Sequence, residues 1–456
     1  IVLLFDFMVA NSFGGTISST NNDILNLYCQ QSLVKFELTG LVTSLITVSA
    51  LVGMTIGSLV TSQLTKKYKK IRITQICAII CLVANGSCCF PIHWTLLVAQ
   101  RIIAGFGQAI ISTIIPGWMS ELISSKSRSQ MMVLFQFFIT TGIFVNSLVM
   151  LAISKWYWPI FLYTMFCNVS IALCTLMIKE QQATQSHIAE MVEDVVHIRK
   201  RLTLKSKEMR KSLMNVIFLG IGSQATGINV VVLYASKIFA AELDIDRAGI
   251  VGNLIAAGAN CLPVLIPLIF LQHIGRKRFL LIGQFICCVG LVGLCLTNLL
   301  NINFSDILTI IFSIIFLIGF EIGPGPFVYV VVSEIFPKQL KTQLISATFT
   351  LMWITNVILI LTFPFFENVV YLAYLFYFII SLSAGIGLCF TLPETKGKSL
   401  EQIENEVTRL NSVSKQRNIS ILTNQSIEEP KIGMQLGTNY LETLYRKDDA
   451  DVLKGD

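Results

Sequence analysis

Long apolar segments alternate with short polar ones along almost the whole chain. A helix needs about 20 predominantly apolar residues to cross a bilayer, and twelve segments approach or exceed that length. We therefore predict an all-α membrane protein whose helices cross the bilayer about twelve times. The predicted spans are 1–19, 39–63, 72–91, 95–119, 130–153, 157–178, 213–240, 248–271, 279–299, 306–333, 343–365 and 370–391.

A longer polar stretch separates the sixth span from the seventh. It is rich in Lys, Arg, Glu and Asp, which indicates surface helices rather than a further span. We predict four parts: an N-terminal six-helix bundle (1–178), a cytoplasmic linker with short helices (179–212), a C-terminal six-helix bundle (213–392) and a cytoplasmic tail (393–456).

The lysines and arginines predict the orientation. They concentrate in the loops that follow spans 2, 4, 8 and 10, whereas the opposite loops carry few of them. Because cytoplasmic loops of membrane proteins carry an excess of Lys and Arg, we expect these loops, the linker and both termini in the cytoplasm. The plasma membrane is the expected location. The chain begins at Ile1 inside an apolar run, so we expect residues before it, and no cleavable signal peptide is visible.

The two halves repeat a pattern of charge. Glu121 at the end of span 4 is followed seven residues later by Arg128, and Glu334 at the end of span 10 is followed seven residues later by Lys341. Such repeats are typical of transporters built from two related halves. We predict that these charges form ion pairs at the cytoplasmic side that open and close with the carrier; snorkelling side chains are the simpler alternative.

Composition supports a membrane protein and excludes several other classes. The chain is 54% hydrophobic and 13% charged, about half the charge of a soluble protein. The net charge of +7 does not indicate nucleic-acid binding, because the basic residues lie between apolar spans. Neither the twelve cysteines nor the four histidines show a metal-binding spacing. No catalytic triad or phosphate loop is visible, so we expect no enzyme and no cofactor.

The stretch from Gly319 to Pro337 holds the most unusual chemistry. It reads G-F-E-I-G-P-G-P-F-V-Y-V-V-V-S-E-I-F-P and lies mostly inside span 10. Glu321 is an acid at membrane depth, where charge is costly and usually functional. Pro324 and Pro326 remove backbone donors and interrupt the helix. A broken helix at this depth typically lines the substrate site of a transporter.

Several motifs in order resemble the sugar porter family of the major facilitator superfamily, which includes glucose transporters. The span 10 motif is accompanied by Q-A-T-G-I-N at 224–229 in span 7, by G-R-K at 275–277 after span 8, and by P-E-T-K-G at 393–397 after span 12. The span 4 pattern is carried by Arg101, Gly105, Pro116, Glu121 and Arg128. Each motif alone is weak, but their order covers nearly the whole chain.

The resemblance implies a monosaccharide carrier, for a hexose such as glucose, and it implies the residues of its sugar site. These are Gln136, Gln224, Asn229, Asn260, Phe320, Glu321, Tyr329 and Asn356. Amides suit a sugar because they both donate and accept hydrogen bonds. The gating residues are expected to be Tyr234, Pro324, Pro326, Glu121, Arg128, Arg276, Glu334 and Lys341.

The chain departs from the family pattern at several positions. Ser223 replaces a glutamine, Tyr329 replaces a tryptophan, and Gln272 replaces an acid. Phe13 stands in span 1 where proton-coupled members carry an aspartate, which favours facilitated diffusion. Asp6, seven residues earlier on a similar face, leaves a proton-coupled sugar or polyol symporter as the alternative. A transporter-like sugar sensor, which would bind without flux, is a further one.

Overall fold

The computed structural model describes residues 2–18, 22–34, 40–122, 125–153, 158–177, 207–232, 248–300, 305–336, 340–366 and 369–398. All of them belong to one unit, residues 1–407. Most of the predicted linker and most of the tail lie outside the described residues.

The described residues are almost entirely α-helical. The helices are α1 (Val2–Ser18), α2 (Asn22–Gln31), α3 (Gly40–Lys67), α4 (Lys70–Cys88), α5 (Trp94–Leu122), α6 (Ser125–Ala152), α7 (Trp158–Met177), α8 (Lys207–Gln224), α9 (Ala248–Cys261), α10 (Leu265–Phe270), α11 (Arg276–Leu300), α12 (Ser305–Ile322), α13 (Pro324–Glu334), α14 (Lys341–Thr362) and α15 (Val370–Thr391). Two short 3-10 helices follow α9 and α14, at Leu262–Val264 and Phe363–Phe366.

The predicted spans coincide with these helices to within a few residues. Eleven stretches of the described residues are long and apolar enough to cross a membrane. The first predicted span corresponds to α1, which has 17 residues and packs against α6 and α7. Two features were not predicted. Helix α2 lies between spans 1 and 2, and α8 begins at Lys207, inside the predicted linker.

Two groups of helices pack side by side. In the N-terminal half, α3 and α4 pack on α5, while α1 packs on α6 and α7. In the C-terminal half, α11 packs on α12 and α15, and α8 packs on α14 and α15. The halves meet along two seams, α3 against α14 and α6 against α9 and α13.

Glycines allow the backbones of α11 and α12 to touch. A Cβ atom added to Gly283 would lie 2.4 Å from the Cα of Gly323, and one added to Gly323 would lie 2.7 Å from the Cα of Gly283. Small residues of this kind drive helix association in membranes, because close approach maximises van der Waals contact. The contact fixes the end of α12 where the span breaks.

Two spans of the C-terminal half are interrupted at the level of the cavity described below. Span 10 breaks at Gly323, which has φ −123° and ψ −93°, and α13 restarts with Pro324 at its first turn. This is the break that the two prolines predicted. Span 7 breaks after Gln224, and a helix resumes at residues 228–232. Gly227 makes this turn with φ +79°.

The break at Gly227 predicts a stability effect. Gly227→Ala should lower the thermal stability of the purified protein, because a left-handed conformation costs an L-residue about 1–2 kcal/mol. In addition, the new Cβ would lie 2.4 Å from the ring of Tyr377. Gly258→Ala is the matched control. Its Cβ would meet Phe144 at 3.5 Å, and alanine favours the helix interior by about 1 kcal/mol. An equal or higher melting temperature for Gly227→Ala would contradict this account of the turn.

Candidate functional site

A cavity lies between the two halves, at the level of the broken spans. It holds about 610 Å³ of space not filled by protein atoms, a volume that includes solvent at its open side. Its lining residues are Phe13, Gln136, Ile139, Thr140, Ile143, Ser223, Gln224, Ile228, Asn229, Asn260, Phe320, Glu321, Pro324, Gly325, Val328, Tyr329, Met352, Trp353 and Asn356. All eight residues predicted for the substrate site are among them.

The N-terminal half contributes to this cavity mainly through α6. Gln136, Thr140 and Ile143 recur at intervals of four and three residues, the spacing that places side chains on one face of a helix. Phe13 of α1 adds an aromatic ring. Apart from Ile139 of α6, the remaining lining residues belong to the C-terminal half, so the site is asymmetric although the halves are related.

A buried carboxylate joins the two halves at the centre of the cavity wall. Gln136 donates from Nε2 to both carboxylate oxygens of Glu321, at 3.3 Å and 3.0 Å. Glu321 is 1% exposed. Gly325 leaves room for this contact, since a Cβ there would lie 3.0 Å from Glu321 Oε2 and 3.2 Å from Gln136 Nε2. The G-P-G-P break therefore positions the carboxylate against the opposite half.

Aromatic rings close the cavity on two sides. Tyr329 lies between Phe135 of the N-terminal half, with ring centroids 5.0 Å apart, and Phe349 of its own half, at 5.4 Å. Phe13 meets Trp353 edge to face at 5.6 Å. Both Phe135–Tyr329 and Phe13–Trp353 cross between the halves, so they would have to change if the halves separate.

Two polar groups at the cavity have no hydrogen-bond partner in the described part of the chain. Trp353 Nε1 and Asn260 Oδ1 are buried without a hydrogen bond among the residues described. Asn229 Nδ2 lies 3.4 Å from Gln224 Oε1, a long hydrogen bond. Buried polar groups normally find partners. Unpaired donors and acceptors beside an open volume therefore indicate a polar ligand.

The two halves also meet at the end that carries the basic loops, called the basic end below. Glu334 forms an ion pair with Arg276, Nε to Oε2, at 4.0 Å. Ser129 of α6 reaches both residues across the seam between the halves. It donates to Glu334 Oε1 at 2.7 Å and accepts from Arg276 Nη2 at 2.7 Å and Nε at 3.2 Å.

The other predicted gating residues are placed as follows. Arg128 and Lys341 are buried at the same end, and Arg128 lies close enough to Glu334 to interact electrostatically. Pro324 and Pro326 begin α13. The side chain of Glu121 and the whole of Tyr234 lie outside the described residues.

The P-E-T-K-G motif holds the loop before α11 in place. Glu394 Oε1 accepts a hydrogen bond from the Arg276 backbone N–H at 2.9 Å, and Lys396 Nζ donates to the His273 carbonyl at 2.8 Å. A Cβ at Gly275 would lie 2.1 Å from Glu394 Oε2, so a side chain there would displace the carboxylate. The motif thereby orients Arg276 toward the seam.

Comparison with known proteins identifies the family. The family model described as "Sugar (and other) transporter" matches residues 2–180 and 174–407. The chain belongs to this sugar transporter family. It is a divergent sugar porter of the major facilitator superfamily, and a multi-pass integral membrane protein. Members of the family are transporters rather than enzymes.

Curated relatives show how divergent the chain is. YwtG of Bacillus subtilis, a putative metabolite transport protein, is 26% identical over 400 residues, which cover 81% of this chain and 86% of that protein. Solute carrier family 2 facilitated glucose transporter member 5 of Equus caballus is 23% identical, with 79% of this chain and 80% of that protein covered. The glucose transporter GlcP of Staphylococcus epidermidis is 24% identical, with 88% and 96% covered.

Solved structures confirm the fold. The proton:xylose symporter XylE bound to 6-bromo-6-deoxy-D-glucose matches with a TM-score of 0.75 and 18% identity, over 89% of this chain and 97% of that one. A partially occluded inward-open structure of XylE from E. coli matches with a TM-score of 0.69 and 18% identity, over 87% and 98%. The chain therefore has the all-α major facilitator fold that its sequence predicts.

Sequence reasoning missed three residues that define the cavity or the seam. Trp353 lies three residues before Asn356 on the same face of α14, so helical spacing alone could have found it. Phe13 was noted only as the replacement of an acid, not as a cavity wall. No sequence feature pointed to Ser129 as a contact between the halves, because a serine near a helix start is usually interpreted as a capping or solvated residue.

Asp6 of α1 occupies an unusual environment. It is fully buried, and neither carboxylate oxygen has a hydrogen-bond partner among the described residues. It lies two helical turns from Phe13 on a similar face, about 10 Å nearer the basic end at 1.5 Å per residue. An unpaired buried acid destabilises a fold and is usually retained for function.

This environment predicts that Asp6→Leu raises the thermal stability of the purified protein. Burial of an unpaired polar group costs about 1–3 kcal/mol in mutational data, and leucine removes that cost. Asn11→Leu is the control on the same helix, since Asn11 donates to the Phe7 carbonyl at 2.8 Å and accepts from the Tyr163 hydroxyl at 2.7 Å. It should lower stability. Destabilisation by both variants would show that Asp6 has a partner.

Proposed function

We propose that this protein carries a monosaccharide, a hexose such as glucose, across the membrane by alternating access. The observation that carries the proposal is the cavity itself. Amides from both halves, an unpaired indole N–H and aromatic rings surround one open volume. Each sugar hydroxyl both donates and accepts, and amides answer both needs, while the aromatic rings pack against the C–H face of a pyranose.

The charges around the cavity favour a neutral substrate. Glu321 is its one charged lining residue among those described, and no Lys or Arg of the described residues lines it. A carboxylate substrate would face this acid without a compensating cation. A polyhydroxylated neutral molecule can instead accept from Gln136 and donate to Glu321.

Alternating access follows from the position of the cavity between the halves. Toward the basic end the path is filled first by Tyr329 and by the rings of Phe135 and Phe349 that pack on it. Buried apolar side chains such as Met132 and Val331 come next, followed by the Ser129 contact. Rocking of the halves about the cavity would open this end and close the other. The basic loops favour a cytoplasmic location for this end and for both termini. A plasma-membrane location is part of the proposal.

The proposal predicts saturable sugar flux in reconstituted vesicles. Gln136→Ala and Asn229→Ala should each lower sugar affinity about 5- to 150-fold, because loss of a partner for a buried polar group costs about 1–3 kcal/mol. A counterflow assay with hexoses, pentoses and polyols measures this and identifies the substrate. Asn298→Ala is the control, since Asn298 bonds within its own helix to the Leu294 carbonyl.

Two results would overturn this proposal. Sugar binding without flux would indicate a sensor rather than a carrier. Unchanged affinity in both cavity variants, with normal amounts of folded protein, would place the sugar site elsewhere.

Facilitated diffusion is the proposed mode, because Phe13 replaces the usual acid of span 1. The environment of Asp6 favours one second candidate, proton-coupled symport, since a buried acid without a partner can bind a proton. In the uniport case sugar equilibrates across the vesicle membrane, and protonophores have no effect. Sugar uptake that acidifies the vesicle lumen, with the acidification lost in Asp6→Asn, would instead establish symport.

A further inference from the structure

One hydroxyl contacts both an acid and a base of the opposite half at the basic end. Ser129 belongs to the N-terminal half, whereas Arg276 and Glu334 belong to the C-terminal half. The Ser129 side chain is 1% exposed. Its oxygen accepts from two guanidinium nitrogens and its proton goes to Glu334 Oε1. A serine hydroxyl has one donor and two acceptor positions, and all three are used here.

The acid and the base depend on this hydroxyl for close contact. Arg276 and Glu334 are 4.0 Å apart, longer than the 2.7–2.9 Å of a charge-assisted hydrogen bond. Both bonds of 2.7 Å in this cluster go to Ser129. The serine therefore bridges the pair, and separation of the halves withdraws the bridge from both charges together.

We propose that Ser129 is a gating residue, the latch by which the N-terminal half holds the acid–base pair of the C-terminal half and keeps the basic end closed. The inference rests on the proposed alternating access, but it concerns a residue outside the sugar site. Hydrogen bonds to charged groups are stronger than neutral ones, so one hydroxyl suffices to bias two states of similar energy. Opening hydrates Arg276 and Glu334, which makes the bond reversible.

The latch lies on the same helix as the cavity contact. Ser129 and Gln136 are seven residues apart on α6, two turns or about 10 Å, and each bonds to a glutamate of span 10. A sugar that takes the Gln136 amide removes one of these two links. The Ser129 bond still joins α6 to Glu334 of span 10, beside the electrostatic attraction of Arg128, and its strength contributes to how readily the loaded carrier opens.

The test measures opening at the basic end without sugar. Met132→Cys is the reporter, because Met132 is fully buried one turn from Ser129 on α6. Native cysteines are replaced, and the protein is labelled with a maleimide in lipid nanodiscs. Ser129→Ala should raise the labelling rate about 10-fold, as expected for loss of a hydrogen bond to a charged group. Ser129→Thr keeps the hydroxyl and should label at the parent rate.

Two controls separate a latch from a packing defect. Ser333→Ala removes a neighbouring buried hydroxyl that, among the described residues, bonds within its own helix to the Val330 carbonyl, and should leave labelling unchanged. In a Glu334→Gln background, Ser129→Ala should change the rate less than in the parent, because the charged acceptor is lost while the bonds from Arg276 remain and contacting residues are not additive.

The proposal is overturned if Ser129→Ala labels at the parent rate, if Ser333→Ala accelerates labelling equally, or if the Glu334→Gln background leaves the effect of Ser129→Ala undiminished. If the alanine variant does not fold, Ser129→Gly replaces it, and equal labelling of the Gly and Thr variants overturns the proposal. Because labelling needs no sugar, a failed latch and a failed sugar assignment are distinguished.

Discussion

The contact between Gln136 and Glu321 is the constraint on which the rest of the structure depends. A carboxylate at membrane depth is costly unless a partner or a ligand compensates it. Here an amide of one half compensates an acid of the other, at 3.0 Å. The cavity therefore exists only while the halves face each other, and a hydroxyl-rich molecule between them can replace the amide. Binding and the relation of the halves are thus parts of one interaction.

The local backbone serves this contact. Glycine at 325 leaves space beside the carboxylate, the break at Gly323 ends α12 where it touches α11, and Gly227 turns span 7 so that Gln224 and Asn229 face one volume. At the basic end the same helix of the N-terminal half makes a second polar contact through Ser129. The loop that presents Arg276 is in turn held by Glu394. The Ser129 cluster and the tail motif are joined by polar contacts through Arg276, and α6 carries both this cluster and the cavity contact of Gln136.

The sequence predicts much of this arrangement, because a helix that crosses a bilayer needs a long apolar segment and such segments are easily recognised. The spans follow from apolar length, and the break in span 10 follows from Pro324 and Pro326. The lining of the cavity was predicted through the family's motifs, and all eight predicted residues lie at one cavity.

Helix α2 was missed because it is short and mostly polar. Trp353 and Ser129 were missed because an aromatic residue or serine in a helix is common, and only the packing of the two halves shows what it touches. Among the described residues, Glu334 forms an ion pair with Arg276, which is distant in sequence in the same half, and the seven-residue spacing from Glu334 to Lys341 does not indicate this contact.

A double-mutant cycle on Gln136 and Glu321 tests the central claim most directly. Sugar dissociation constants are measured for the parent, Gln136→Ala, Glu321→Gln and the double variant in lipid nanodiscs. If one interaction between the halves builds the site, the two changes are coupled by about 1 kcal/mol or more, within the range for residues in contact. Additivity within about 0.3–0.5 kcal/mol, as for independent sites, would contradict the account.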